Sequence, residues 1–148
     1  MQDSRATTRR HRRQEAIRSI VRSYSVKTQR DLVERLSDQG LSCTQATVSR
    51  DIVEMGLQKA ADGCYALPEE ERVARLAAEL VTEVKVGGTI VVVKTHPGGA
   101  QGVCAALDDA HLPGALGTVA GDDTIMIAAE SCEAAERVAG MVERLRRR

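Results

Sequence analysis

A chain of 148 residues has room for one ordinary domain or two small ones, and 43% hydrophobic content suffices for packed cores, although without Phe or Trp those cores must be aliphatic. Four scattered cysteines (Cys43, Cys64, Cys104, Cys132) without a Cys-x-x-Cys pair argue against a zinc site, and the lack of a long apolar run argues against a signal peptide or membrane span, so a cytoplasmic protein with reduced thiols is expected. The charges balance at 21 basic and 21 acidic residues, but up to Pro68 there are 12 Lys+Arg against 8 Asp+Glu and beyond it 9 against 13, an asymmetry that points to one half meeting a polyanion.

The basic excess begins early, in Arg5, Arg9, Arg10, Arg12, Arg13, Arg18 and Arg22. Residues 1–8 are expected to form a disordered basic tail that aids solubility. Ile17, Ile20, Val21 and Tyr24 then mark a first helix with an apolar stripe, whose arginines suit phosphate contacts. Thr28-Gln-Arg-Asp31 reads as the start of a second helix, with Asp31 in the position of the acidic member of a capping box. Leu32, Val33 and Leu36 form its apolar face, and Gly40 ends it.

Only Leu41, Ser42 and Cys43 separate that helix from the next, a connection short enough for a helix-turn-helix. In the third helix Thr44 can cap the start and Gly56 can supply a left-handed residue just past the end. Val48, Ile52 and Met55 make one face apolar, which leaves Gln45, Thr47, Ser49 and Arg50 on or near the exposed N-terminal part. Arginine can donate two hydrogen bonds to a guanine edge, glutamine can pair with adenine, and hydroxyls suit phosphates or bases. Residues 57–60 and 65–67 flank Asp62-Gly63, a two-residue hairpin signal. Three helices followed by a hairpin describe a winged helix-turn-helix over residues 1–68, with Lys59 on the wing as a candidate phosphate contact.

Glu69-Glu70-Glu71 opens a connecting helix over residues 69–83 by setting acids at its positive end, and Val73, Leu76, Ala77 and Leu80 continue its stripe. Residues 84–148 change period. Val84 and Val86 precede a Gly87-Gly88 turn and a β-branched run, Thr89–Thr95; residues 98–110 suit a helix with Val103, Ala106 and Leu107 inward. Two strands, 116–120 and 124–129, surround Gly121-Asp122-Asp123, and residues 132–147 close the chain as a helix carrying Val138, Met141, Val142 and Leu145. The order β-β-α-β-β-α predicts an antiparallel sheet covered by two helices, an α+β architecture overall.

Asp122 and Asp123 sit side by side in a tight turn between apolar strands. Two like charges about 4 Å apart cost roughly 4 kcal/mol at an effective dielectric near 20, so a cation would relieve them. On spacing alone a solvated Asp-Asp turn, which is common and needs no ligand, is the favoured reading. An enzyme reading, with the two aspartates as metal ligands or as an acid–base pair and His96 or His111 recruited as a base, lacks a nucleophile–base–orienter set.

Three segments, Thr44-Gln-Ala-Thr-Val-Ser-Arg-Asp-Ile52, Thr95-His-Pro-Gly-Gly-Ala-Gln101 and Gly117-Thr-Val-Ala-Gly-Asp-Asp-Thr-Ile125, closely resemble the bacterial arginine repressor family, in the family's order and spacing. The resemblance implies a winged helix domain that binds double-stranded operator DNA and a C-terminal domain that trimerises. It further implies two trimers stacked as a hexamer with L-arginine, the corepressor, bound between them. Repression of arginine-biosynthesis operators, sometimes with activation of catabolism, would follow; neither enzymatic activity, a further cofactor, a metal nor a membrane is implied. By position, Gln101, Asp108, Ala120, Asp122 and Asp123 match the family's arginine-binding positions, and Gln45, Thr47, Ser49 and Arg50 match its reading helix. Met126 stands where an aromatic often occurs, and Gly99 and Gly102 loosen the Pro-Gly turn and its helix. The alternative is a winged helix repressor that answers to a different cationic amino acid.

Overall fold

No glycine or proline interrupts the chain before Gly40. In the structure, a computed structural model that describes residues 2–148 with side chains from Ala6 onward, a single helix α1 runs Gln2–Ser23. The expected disordered tail is thus replaced by helix, as follows for Gln, Arg and Ala-containing sequence that extends an already nucleated helix; Met1 and the side chain of Arg5 lie outside the described part. Helices α2 (Gln29–Asp38) and α3 (Gln45–Glu54) each begin at a threonine whose hydroxyl accepts a backbone N–H: Thr28 from Asp31 at 3.1 Å, and Thr44 from Thr47 at 3.3 Å. Past their ends, Gly40 and Gly56 are left-handed, with φ of +73° and +66°.

The chain divides into two compact units, 1–68 and 69–148. In the first, Ile17, Ile20 and Val21 of α1 pack with Leu32 and Leu36 of α2, Val48 and Ile52 of α3, and Val26, Leu57 and Leu67. Each fully buried aliphatic side chain of this kind contributes about 1.5–3 kcal/mol. Tyr24 does not join them. It lies beyond α1, is 52% exposed, and carries the Arg35 guanidinium 4.1 Å over its ring. The wing pairs β1 (Gln58–Lys59) with β2 (Tyr65–Ala66), Gln58 opposite Ala66 and Lys59 opposite Tyr65. Its loop is longer than a two-residue turn. The Ala60 N–H donates to the Cys64 carbonyl at 2.8 Å, the Gly63 N–H donates to the Ala60 carbonyl at 2.9 Å, and Asp62 accepts from the Cys64 N–H at 2.9 Å. Gly63, at φ +78°, supplies the left-handed residue that such longer hairpin loops require.

The second unit has its own aliphatic core. Helix α4 (Pro68–Leu80) buries Val73, Ala74 and Ala77 in that core, so it is a structural layer of this unit as well as a connection. Strand β3 (Val81–Gly87) begins directly where α4 ends, ahead of the expected start at Val84. It is followed by β4 (Ile90–Thr95), α5 (Ala100–Ala110), β5 (Ala115–Ala120), β6 (Thr124–Ala129) and α6 (Cys132–Arg146). The β-β-α-β-β-α order forms one antiparallel sheet in the sequence β3-β4-β6-β5. Alternation on the central strands sends Val91, Val93, Ile125 and Ile127 to the inner face, fully buried against Val103, Ala106 and Leu107 of α5 and Val138, Val142 and Leu145 of α6. The other face carries a cross-strand row, Lys85, Val92, Met126 and Val119, of which Val119 is 73% and Met126 49% exposed.

Two connections shape the end of this sheet. The β5–β6 turn closes with the Gly121 N–H on the Thr124 carbonyl at 2.8 Å. Residues 96–99 link β4 to α5, and here Gly99 is a close-packing residue, since a Cβ on it would meet the His96 carbonyl oxygen at 3.0 Å. Gly102 has open space around it, so its presence costs only helix propensity.

Candidate functional site

The first half of α3 is a capped helix end with its polar side chains outward. Gln45 is exposed, its amide 3.5 Å from that of Gln29 on α2. Thr47 is partly withdrawn: its N–H and hydroxyl both face Thr44, the two hydroxyls 2.9 Å apart. Ser49 is half-buried. Arg50 is exposed, and among the described residues no hydrogen bond or ion pair occupies its guanidinium. The N-terminus of α3 adds unpaired backbone N–H groups and the positive end of the helix dipole, both suited to phosphate oxygens.

Two charged residues behave differently from the sequence expectation. Lys59 folds back against the first unit: its ammonium donates to the carbonyls of Lys27, in the α1–α2 connection, and of Gly63 in the wing loop (3.1 Å for the latter), and sits 4.0 Å over the Tyr65 ring. Arg13, expected as a phosphate contact, is instead bound to Asp51 through Nε and, at 3.0 Å, through Nη2. Asp51 is 2% exposed at its side chain. Gln14 bridges Asp51 at 3.2 Å and Glu54 at 3.0 Å, and Arg10 pairs with Glu54 at 2.9 Å. The hydrogen bonds that Arg13 donates to Asp51 raise its guanidinium above the ordinary pKa despite burial, and burial pushes the neighbouring Cys43 thiol up. The sequence signal was present: Asp51 falls on the Val48, Ile52, Met55 stripe, and a carboxylate on an apolar face requires a cation.

In the second unit the Asp122-Asp123 loop is fastened by its backbone. The Asp122 carbonyl accepts from the N–H groups of Gly98 (3.0 Å) and Ala100 (3.3 Å), and the Asp123 carbonyl accepts from Thr95 at 2.8 Å. The loop is therefore held against the start of α5 while the Asp122 side chain faces solvent. Gln101, in the first turn of α5, donates to the Ala120 carbonyl at 3.4 Å. Gln101, Ala120, Asp122 and Asp123 thus form one cluster. Asp108 lies seven residues further along α5, roughly 10 Å by helical rise, and accepts a 2.6 Å hydrogen bond from the Thr118 hydroxyl of β5. Thr118 in turn accepts from the Cys104 thiol at 3.1 Å.

One of the two aspartates, Asp123, finds a cation within the chain. Asp123 Oδ1 accepts from the Thr124 hydroxyl at 2.7 Å and lies 3.2 Å from the Lys94 ammonium. Those contacts, Thr124 first and Lys94 next, hold the Asp123 carboxyl below its usual pKa. Lys94, Thr118 and Thr124 were not singled out in the sequence, because each acts through a neighbour supplied by strand register. No group of three or more His, Cys, Asp or Glu side chains capable of holding a metal occurs among the described residues.

A winged helix-turn-helix with an open reading helix, followed by an antiparallel α+β unit with an acidic turn, defines a DNA-binding regulator with a separate second domain. Residues 8–73 match the family described as the arginine repressor DNA-binding domain, and residues 77–144 match the arginine repressor C-terminal domain. The chain is 46% identical over 146 residues to the arginine repressor of Desulforudis audaxviator, covering 89% of this chain and 97% of that protein. It is 44% identical over 145 residues to that of Heliobacterium modesticaldum (90% and 96% covered), and 43% identical over 145 residues to that of Pelotomaculum thermopropionicum (90% and 96%). The chain belongs to the arginine repressor family, a family of transcriptional repressors.

Proposed function

We propose that this protein represses arginine-biosynthesis genes in the cytoplasm in response to L-arginine, with activation of catabolic genes as a second output. Arg50, Ser49, Gln45 and Thr47 read the operator, and Lys59 steadies the wing beside the backbone. L-Arginine is the corepressor, bound where two trimers meet. Asp122 and Asp123 take its guanidinium in charge-assisted hydrogen bonds, Asp108 takes its ammonium, and Gln101 and the backbone at Ala120 hold the remaining polar groups. The observation that carries this reading is the Asp122-Asp123 turn, its backbone tied to the start of α5, with the Asp122 side chain exposed and the Asp123 carboxylate half-exposed beside Lys94. Assembly is supported by the apolar row Val92, Met126 and Val119 on the uncovered sheet face.

Ligand that binds only the assembled state stabilises it by RT ln(1 + [L]/Kd), and assembly tethers several winged helices so that weak single contacts become avid. Sedimentation with and without L-arginine, repeated with an operator-length duplex, tests both steps. L-Arginine should shift the protein to its largest species and tighten DNA binding, and Asp123→Asn should lose that response while keeping weak DNA binding. An arginine response intact in Asp123→Asn defeats the assignment. Titration with ornithine, lysine and citrulline separates a guanidinium site from one for another amino acid; citrulline, without the charge, should bind poorly.

A further inference from the structure

We infer that Lys94 is an internal competitor for the ligand of the acidic loop: its ammonium occupies Asp123 until the ligand's cation displaces it, and this exchange sets the concentration at which the protein responds. The inference rests on the arginine reading of that loop, and it assigns to a residue outside the ligand-matching positions the task of tuning affinity.

The contact is built into the sheet. Alternation along β4 sends Ile90, Val92 and Lys94 to the face away from the helices, and the β4–β6 register sets Lys94 directly opposite Thr124. From there the ammonium reaches the Thr124 hydroxyl and, at 3.2 Å, Asp123 Oδ1, while the Thr124 hydroxyl donates to the same carboxylate oxygen at 2.7 Å. The other ammonium on this face, Lys85, is paired with Glu83 at 3.0 Å. Asp123 is therefore served by one cation of its own chain, whereas among the described residues no ion pair engages Asp122.

A guanidinium fork and the Lys94 ammonium compete for one acceptor. Binding first breaks the internal pair, so the observed affinity is the intrinsic affinity multiplied by the fraction of molecules in which Asp123 is free. With side-chain exposures of 37% for Lys94 and 50% for Asp123, the pair is solvent-accessible. Exposed pairs of this kind shift an equilibrium by about two- to fivefold. That is too little to block the ligand and enough to move a response threshold.

The test is calorimetric titration of the full chain with L-arginine in the wild type, Lys94→Met and Lys94→Arg. Methionine keeps most of the apolar stem and removes the charge; arginine keeps the charge and offers a fork that grips a carboxylate better. The expected order of affinity is Met above Lys above Arg, with Lys94→Met about two- to fivefold tighter than the wild type. A wild type that binds while Lys94→Met binds no more tightly, or Lys94→Arg equal to the wild type, overturns the competition and leaves the ligand reading standing. A wild type that gives no binding heat with millimolar L-arginine defeats the ligand reading, and this inference with it. A ligand-free readout completes the test: the Asp123 carboxyl, followed by NMR, should titrate at higher pH in Lys94→Met, and an unmoved titration overturns the pairing.

Discussion

Arg13 and Asp51, 38 residues apart, are joined by two hydrogen bonds that tie the first helix to the reading helix one residue past Arg50. Asp51 is the more deeply buried partner, and the pair is flanked by Gln14 bridging to Glu54. The pitch of α3 over the first helix is thus set by a charge pair rather than by aliphatic packing alone.

Removing one partner strands the other. Asp51→Ala leaves the Arg13 guanidinium largely enclosed without a counter-charge, and should cost about 3 kcal/mol of unfolding free energy, the low end for broken buried pairs because Arg13 retains some solvent contact. Arg10→Ala breaks an exposed pair with Glu54 and should stay within about 0.5 kcal/mol. Urea unfolding followed by circular dichroism compares the two. Similar small losses for both would show that the buried pair is not structural.

The cap of the reading helix gives a second expectation. Thr44→Ala removes the acceptor for the Thr47 N–H and the partner of the Thr47 hydroxyl, costing about 1 kcal/mol. Thr44→Ser keeps the oxygen and should recover most of that. Operator affinity should follow the same order, because a frayed first turn no longer presents Gln45 and Thr47 in one geometry. Thermal melts and gel-shift titrations on the same samples would settle it, and an alanine variant equal to the wild type in both would exclude a capping role.

What could be read from the chain in advance was what depends on near neighbours. The Thr28 and Thr44 caps, Gly40 and Gly56, and the strands around Asp122-Asp123 are encoded within a few residues, so composition and period reveal them. The α4–β3 junction escaped because Leu80-Val81-Thr82 contains no turn residue to punctuate it. Tyr24 reads as core by spacing, yet it lies past the helix end under Arg35. The Arg13–Asp51 and Lys94–Asp123 pairs needed the packing of α1 on α3 and the β4–β6 register, neither of which local sequence specifies. Among the expected site residues, Lys59 has its donors turned onto the Lys27 and Gly63 carbonyls, whereas Arg50 remains open.

Thr118 holds Asp108 in one orientation, and its loss should be felt by the ligand rather than by the fold. Thr118→Val keeps the shape and β-branching, so strand β5 should persist. The 2.6 Å hydrogen bond to Asp108 is lost, and arginine affinity should fall by about 1 kcal/mol, roughly fivefold. Calorimetry with thermal unfolding as control reads this. A fall in stability with unchanged affinity would assign Thr118 to the sheet alone.

The thiols should separate by exposure and protonation. Cys132 is exposed, Cys64 and Cys104 are buried, and Cys43 is half-buried with its thiol pushed up by burial. Because the thiolate is the nucleophile, iodoacetamide at neutral pH should label Cys132 first, Cys43 slowly, and the buried pair last. The raised Cys43 titration has a stability counterpart. The folded state favours the neutral thiol, so its contribution is complete below the unfolded pKa and is lost as pH rises through the folded one. Mass spectrometry of a labelling time course checks the order, and Cys43 reacting as fast as Cys132 would contradict the burial argument.

Arg50 is the reading-helix side chain whose role is most open to measurement. Its guanidinium is exposed and without a partner among the described residues, while its neighbour Asp51 is locked to Arg13, so Arg50→Ala can alter recognition without disturbing the first unit's core. If Arg50 reads a base edge, the substitution costs on the order of 1–3 kcal/mol on operator DNA and little on random duplex. If it meets a phosphate, both duplexes lose equally, and the slope of log K against log[salt] shrinks by about 0.9. Binding isotherms for operator and random duplexes at three salt concentrations distinguish these results. The base-reading assignment requires the operator-to-random ratio to collapse while the salt slope stays put, and a ratio that survives the substitution refutes it.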